Sequence, residues 1–157
     1  MPAIGDLAPD FTLPDQDKQP VTLSDLRGRP VMLVFFPLAF SSTCTGELCA
    51  IRDDWDAYER RGVTVLGISV DSTYALRAWR QDQHYGNRFL SDRWPVGRAA
   101  KLYGVWSEEQ GFAERGTFIL DAGGVVRYAV HNPSSVARDE AAYVTALDAI
   151  LAQAGSA

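Results

Sequence analysis

Two uninterrupted apolar runs organise the hydrophobic pattern of this chain. Val31-Met32-Leu33-Val34-Phe35-Phe36, stopped by Pro37, and Val63-Thr64-Val65-Leu66-Gly67-Ile68-Ser69-Val70 read as strands buried on both faces of a partly parallel sheet. The first is the central strand. After a loop over residues 37–43, Leu48, Ile51, Trp55 and Tyr58 recur every three or four positions. That spacing predicts a helix running to about Arg61 and ended by Gly62. Beyond the second run, Asp71 or Ser72 can cap a helix with Leu76 and Trp79 on one face.

The remaining elements are shorter. Phe11-Thr12-Leu13 and Val21-Thr22-Leu23, separated by a polar stretch, predict an N-terminal hairpin. Arg88-Phe89-Leu90 reads as a strand, and residues 95–103 as a brief helix with Pro95 in its first turn and Gly104 after it. Thr117-Phe118-Ile119-Leu120 and the run starting at Val125 flank Asp121-Ala122-Gly123-Gly124, a strong antiparallel hairpin signal. A last helix over about residues 139–152 lines up Tyr143, Val144, Leu147, Ile150 and Leu151. The βαβα order followed by a hairpin and a helix predicts an α/β, thioredoxin-like fold: a central mixed β-sheet flanked by helices, with an N-terminal β-hairpin. Residues 1–157 are expected to form one domain. Disorder is expected only in the Ala/Gly/Ser tail from Ala152.

Composition narrows the function. A formal charge of -5, with Lys18 and Lys101 the only lysines, argues against nucleic acid as a partner. No apolar run approaches the roughly 18 residues of a membrane span, and the N-terminus lacks a signal-peptide layout, so the cytoplasm is the expected location. The two cysteines, Cys44 and Cys49, are too few for a disulfide scaffold. His84 and His131 lie far from them without metal-ligand spacing, so neither a metal nor another cofactor is expected. Those histidines read as surface loop residues, and the tryptophans as core or interface aromatics.

The chemistry therefore rests on Cys44, which the central strand delivers to a helix N-terminus. There, orphan N–H groups and the helix dipole lower a thiol pKa from its usual value of about 8.5. A thiolate can attack a peroxide O–O bond and become a sulfenic acid. The charge that develops on both oxygens calls for a hydroxyl, backbone amides and an arginine nearby.

Pro37-Leu38-Ala39-Phe40-Ser41-Ser42-Thr43-Cys44 resembles the active-site loop of the peroxiredoxin family. The likeness extends through Ala8-Pro9-Asp10-Phe11, Leu90-Ser91-Asp92, Tyr103-Gly104-Val105 and Arg115-Gly116-Thr117-Phe118, and its wording is most similar to the AhpE type. This resemblance implies that Cys44 attacks, Pro37 shields the thiolate from water, Ser41 hydrogen-bonds the peroxide, and Arg115 stabilises thiolate and transition state. Glu47 would orient the arginine and the loop. The family usually has threonine where Ser41 stands; serine keeps the hydroxyl but loses the methyl that restricts its rotamer. The resemblance also implies a hydroperoxide substrate, a thioredoxin or mycoredoxin-like thiol reductant, and a possible homodimer to which Trp79, Phe89 or Trp94 could contribute.

Cys49 matches a second pattern, the resolving cysteine that PrxQ or bacterioferritin-comigratory members carry five residues on. Five helical residues rise about 7.5 Å and leave the two Cα atoms roughly 8 to 9 Å apart, beyond disulfide reach. A Cys44–Cys49 disulfide would require the first turns to unwind, a step eased by Gly46. Two other functions share these residues. A disulfide reductase would normally carry Cys-x-x-Cys, which this chain lacks, and a peroxide sensor would use the same Cys44 chemistry but pass its oxidation to a partner.

Overall fold

The computed structural model describes residues 1–155 apart from the side chain of Cys44. β1 (Thr12–Pro14) and β2 (Pro20–Thr22) form the N-terminal antiparallel hairpin. A short 3₁₀ turn, Leu23–Leu26, leads to β3 (Val31–Phe35), in which every residue is buried. Then follow α1 (Ser42–Asp53), α2 (Trp55–Arg60), β4 (Thr64–Ser69), α3 (Thr73–Gln83), β5 (Arg88–Ser91) and α4 (Arg98–Leu102). The chain ends with β6 (Trp106–Ser107), β7 (Phe112–Ala113), β8 (Arg115–Leu120), β9 (Val126–Asn132) and α5 (Ala141–Gly155).

The main sheet has the order β5-β4-β3-β8-β9. β3 runs parallel to β4 and antiparallel to β8, so the longest apolar run is the central strand of a mixed sheet. Successive β3 side chains alternate between two cores, as the period of two requires. Leu33 and Phe35 join Phe118, Tyr103 and the hairpin's Leu13 on one face. Met32 and Val34 join Leu48, Ile51, Trp79 and Leu147 from the helices on the other. The hairpin also reaches the outer strand, where Asp15 bridges to Leu90.

Several sequence expectations need correction. The helix expected to run to Arg61 breaks at Asp54, whose φ of -99° and ψ of 19° leave the helical region. The break lets Trp55 lie over Gly86, where a Cβ would come within 2.7 Å of the indole, and lets Tyr58 enter the core and donate to Glu140 at 2.5 Å. The helix expected over residues 95–103 starts at Arg98 instead. Gly97 has a φ of +74°, and the Asp92 carboxylate accepts the Ala99 and Ala100 amides, which fixes the start there. A small hairpin, β6–β7, precedes Arg115.

α5 starts at Ala141 and continues through the Ala/Gly/Ser segment to Gly155; residues 156–157 lie outside the described residues. His131 belongs to β9, with Glu114 3.3 Å from its Nε2. Of the aromatics suggested for a dimer contact, Trp79 and Phe89 are fully buried in the core and unavailable to a partner, whereas Trp94 is 86% exposed. Among the described residues no helix is long and apolar enough to cross a membrane.

Candidate active site

β3 ends at Phe35, and the chain turns through residues 36–41 before α1 begins. Phe36 and Pro37 are buried, while Leu38 and Phe40 face solvent. Phe40 has a φ of +67°, unusual for a residue with a side chain. Ser41 is the N-cap of α1 in extended conformation, and its carbonyl accepts the Thr45 amide at 2.9 Å. Its hydroxyl does not cap the helix; it donates to the Leu38 carbonyl at 3.0 Å. The backbone of Cys44 lies in the first turn of α1, where amides lack intrahelical acceptors. Its side chain lies outside the described residues.

One turn further along α1, Glu47 is the centre of a buried polar group. Its Oε1 accepts from Arg115 Nη1 at 2.5 Å and from Arg138 Nη2 at 2.9 Å. Its Oε2 accepts from the Arg138 amide at 2.7 Å and from Arg138 Nε at 3.0 Å. Burial alone would push the Glu47 carboxyl up, but hydrogen bonds and charge from Arg138, with the charge of Arg115, hold it below the usual carboxylate range. All three side chains are at least nine-tenths buried, so their desolvation must be offset by this mutual pairing and by their further hydrogen bonds.

Arg115 sits at the start of β8 and donates through Nε to the Ser134 carbonyl at 2.7 Å. Arg138 comes from the segment before α5, a residue the sequence reading passed over. Its Nη1 donates to the carbonyls of Phe35 and Gly116 at 2.6 and 2.9 Å, and to Thr117 Oγ1 at 3.2 Å. It thus ties the ends of β3 and β8 to α1 through Glu47.

The structure brings Glu47 and Arg115 together at the start of α1 and sets Pro37 and Ser41 in the loop that leads into it. Cys49 lies elsewhere, half-buried as a free thiol against the aromatic core. Its Sγ is 3.6 Å from Gln83 Oε1, at the last residue of α3, and 3.6 Å from the Tyr85 hydroxyl, just beyond that helix. Between positions 44 and 49 the helix is unbroken, as the Cα separation estimated from helix geometry assumed.

A helix N-terminus followed one turn later by two buried guanidiniums that share one carboxylate is an environment that favours negative charge. The chain is similar to several known proteins. Residues 4–129 match the family model described as AhpC/TSA family. The chain is 41% identical over 150 residues to alkyl hydroperoxide reductase E of Mycobacterium tuberculosis, covering 95% of this chain and 98% of that one. It is 35% identical over 130 residues to peroxiredoxin Bcp of Escherichia coli, covering 79% and 82%. Among solved structures it matches peroxidoxin BcpB from Mycobacterium tuberculosis with a TM-score of 0.82 and 29% identity, covering 97% and 98% of the two chains. Enterococcus faecalis AhpC gives a TM-score of 0.88 at 26% identity, covering 99% and 96%. The shared architecture is the thioredoxin-like fold of peroxiredoxins.

Proposed function

Because the chain belongs to the AhpC/TSA family and is a peroxiredoxin, a thiol peroxidase, we propose that Cys44 is its peroxidatic cysteine and that residues 1–157 act as one domain. The Cys44 thiolate attacks the terminal oxygen of a hydroperoxide. An S–O bond forms as the O–O bond breaks, and the departing oxygen takes a proton to leave as water or an alcohol. Cys44 becomes a sulfenic acid. Pro37 keeps bulk water from the sulfur, and Ser41 binds the peroxide through its hydroxyl. Arg115, aimed by Glu47 and Arg138, stabilises the charge that develops on oxygen.

The observation that carries this proposal is the buried Glu47–Arg115–Arg138 group one turn beyond position 44. Two cations share one anion there, so the local field favours the thiolate over the neutral thiol. Cys49 then attacks the sulfenic sulfur, releasing water and forming a disulfide. With α1 unbroken across both positions, that step follows unwinding of the first turns. A thioredoxin or mycoredoxin-like dithiol returns both cysteines to the reduced state, and hydrogen peroxide and organic hydroperoxides are the substrates, in the cytoplasm.

The test is competition kinetics for peroxide, with mass spectrometry of the products, on wild type, Cys44→Ser and Cys49→Ser. Expected are rapid peroxide consumption lost only in Cys44→Ser, a disulfide 2 Da lighter than the dithiol in wild type, and over-oxidised Cys44 in Cys49→Ser. A wild-type protein no faster than free cysteine would overturn the assignment of Cys44. Unchanged turnover of Cys49→Ser with a thioredoxin would remove Cys49 from the cycle.

A further inference from the structure

We propose that Asp71 is a positioning residue for peroxide reduction, holding the turn that presents Ser41 and starts α1. The proposal rests on the roles given above to Cys44 and Ser41. Asp71 Oδ2 accepts the Ala39 amide at 2.8 Å, in the middle of that turn. The next residue, Phe40, is the one with a φ of +67°, a conformation that persists only when its surroundings impose it. A hydrogen bond from an amide to a carboxylate is of the stronger, charge-assisted kind.

Asp71 is itself anchored to the sheet. Ser69, buried at the end of β4, donates its hydroxyl to the same Oδ2 at 2.6 Å and accepts the Asp71 amide at 3.3 Å. Ser91, buried at the end of β5, donates to the Asp71 carbonyl at 2.6 Å. Capping of α3 is done by Ser72, which accepts the Ala75 amide at 3.2 Å, so the Asp71 carboxylate is committed to the turn and not to the helix. The C-terminal ends of two parallel strands thereby fix the position of Ala39.

What Ala39 does is transmitted two residues on. Ser41 donates its hydroxyl to Leu38, on the other side of Ala39, and its carbonyl accepts the Thr45 amide, the first i to i+4 hydrogen bond of α1. A turn released from Asp71 displaces the hydroxyl that aligns the peroxide, while the Glu47–Arg115–Arg138 group, whose hydrogen bonds do not involve Asp71, stays in place. Attack on a peroxide demands alignment of three atoms, so a small displacement is costly. Alkylation by iodoacetamide draws on the same thiolate without needing the Ser41 hydroxyl.

The experiment compares wild type, Asp71→Ala and Asp71→Asn in two reactions: oxidation of Cys44 by hydrogen peroxide and alkylation by iodoacetamide at the same pH. Asp71→Ala is expected to lose roughly ten- to a hundredfold in the peroxide rate constant, and less than about twofold in alkylation. Asp71→Asn keeps an acceptor oxygen but no charge, and should recover to roughly three- to tenfold below wild type. A folded Asp71→Ala with the wild-type peroxide rate overturns the proposal, as does an equal loss in both reactions. If circular dichroism shows Asp71→Ala unfolded, Asp71→Asn decides on the same two rates: a selective loss supports the proposal and a wild-type peroxide rate overturns it. A wild type no faster than free cysteine overturns the Cys44 assignment and this proposal together; a fast wild type with an equally fast Asp71→Ala overturns the proposal alone.

Discussion

The two cysteine positions of α1 are five residues apart on one helix, yet their surroundings are held by different forces. Around position 44 order comes from a few directional bonds between distant segments: Asp71 to Ala39, and Glu47 to Arg115 and Arg138. Around Cys49 it comes from packing against an apolar cluster, with two long sulfur contacts to Gln83 and Tyr85. Directional charged bonds fail when one partner is changed, whereas dispersion is shared among many small contacts. The first region should therefore be sensitive to charge and pH and the second to volume. That contrast suits the roles proposed above, in which position 44 keeps its geometry to react and Cys49 leaves its place to resolve.

The contrast breaks most sharply at Arg138. Arg138→Ala leaves the buried Glu47 carboxylate with Arg115 as its one remaining guanidinium and removes the donor to two strand-end carbonyls, with an expected loss of about 3–5 kcal/mol, measurable by urea unfolding. If the loss is instead below about 1 kcal/mol, the buried group does not organise the site. Acid tests the same group more gently. The folded pKa of Glu47 is lowered from 4.5, so its contribution is fully present above that value and is lost as pH falls through the lower folded value. Unfolding curves between neutral pH and pH of about 3 should show a larger acid loss for wild type than for Glu47→Gln.

Cys49 should behave oppositely. Cys49→Ser places a hydroxyl within reach of the same two partners, and its stability should stay within about 1 kcal/mol of wild type, by thermal unfolding of the reduced proteins. The smallest effect sharpens the comparison between the positions. Gly46 lies between them, exposed, with open space around an added Cβ and no positive φ that would demand glycine. Gly46→Ala should stiffen the helix by about 0.5–1 kcal/mol and slow disulfide formation roughly two- to fivefold, leaving the peroxide step unchanged. Equal disulfide rates, followed by mass spectrometry after rapid quench, would mean that unwinding at Gly46 does not limit that step.

The elements that sequence periodicity could identify were those whose partners are many and apolar. The runs at Val31 and Val63 and the hairpin around Asp121 carry their own signals, and all lie in the main sheet as expected. The break at Asp54 has no such signal, because the apolar spacing of Ile51, Trp55 and Tyr58 continues through it. Of the site, the residues that resemblance supplied are those of one loop and one strand start. Arg138 escaped because it stands in a polar stretch without periodicity, and its partner Glu47 is 91 positions away. In sequence Asp71 and Ser72 are equivalent candidates for the helix cap; only three-dimensional proximity shows that Ser72 caps and Asp71 reaches the loop.

The aromatic core under α3 has an optical consequence. Trp79 is fully buried among Phe36, Phe40, Tyr85 and Phe89, with ring centroids 4.9 to 6.2 Å away. Phe40 belongs to the active-site turn and Tyr85 touches Cys49, so one indole adjoins the surroundings of both thiols. Trp94, largely in water, supplies a steady long-wavelength background. The protein thus carries an internal fluorophore whose blue-edge emission should change once when the turn responds to peroxide and again when Cys49 leaves Tyr85, giving two separable phases in a single trace without any added dye.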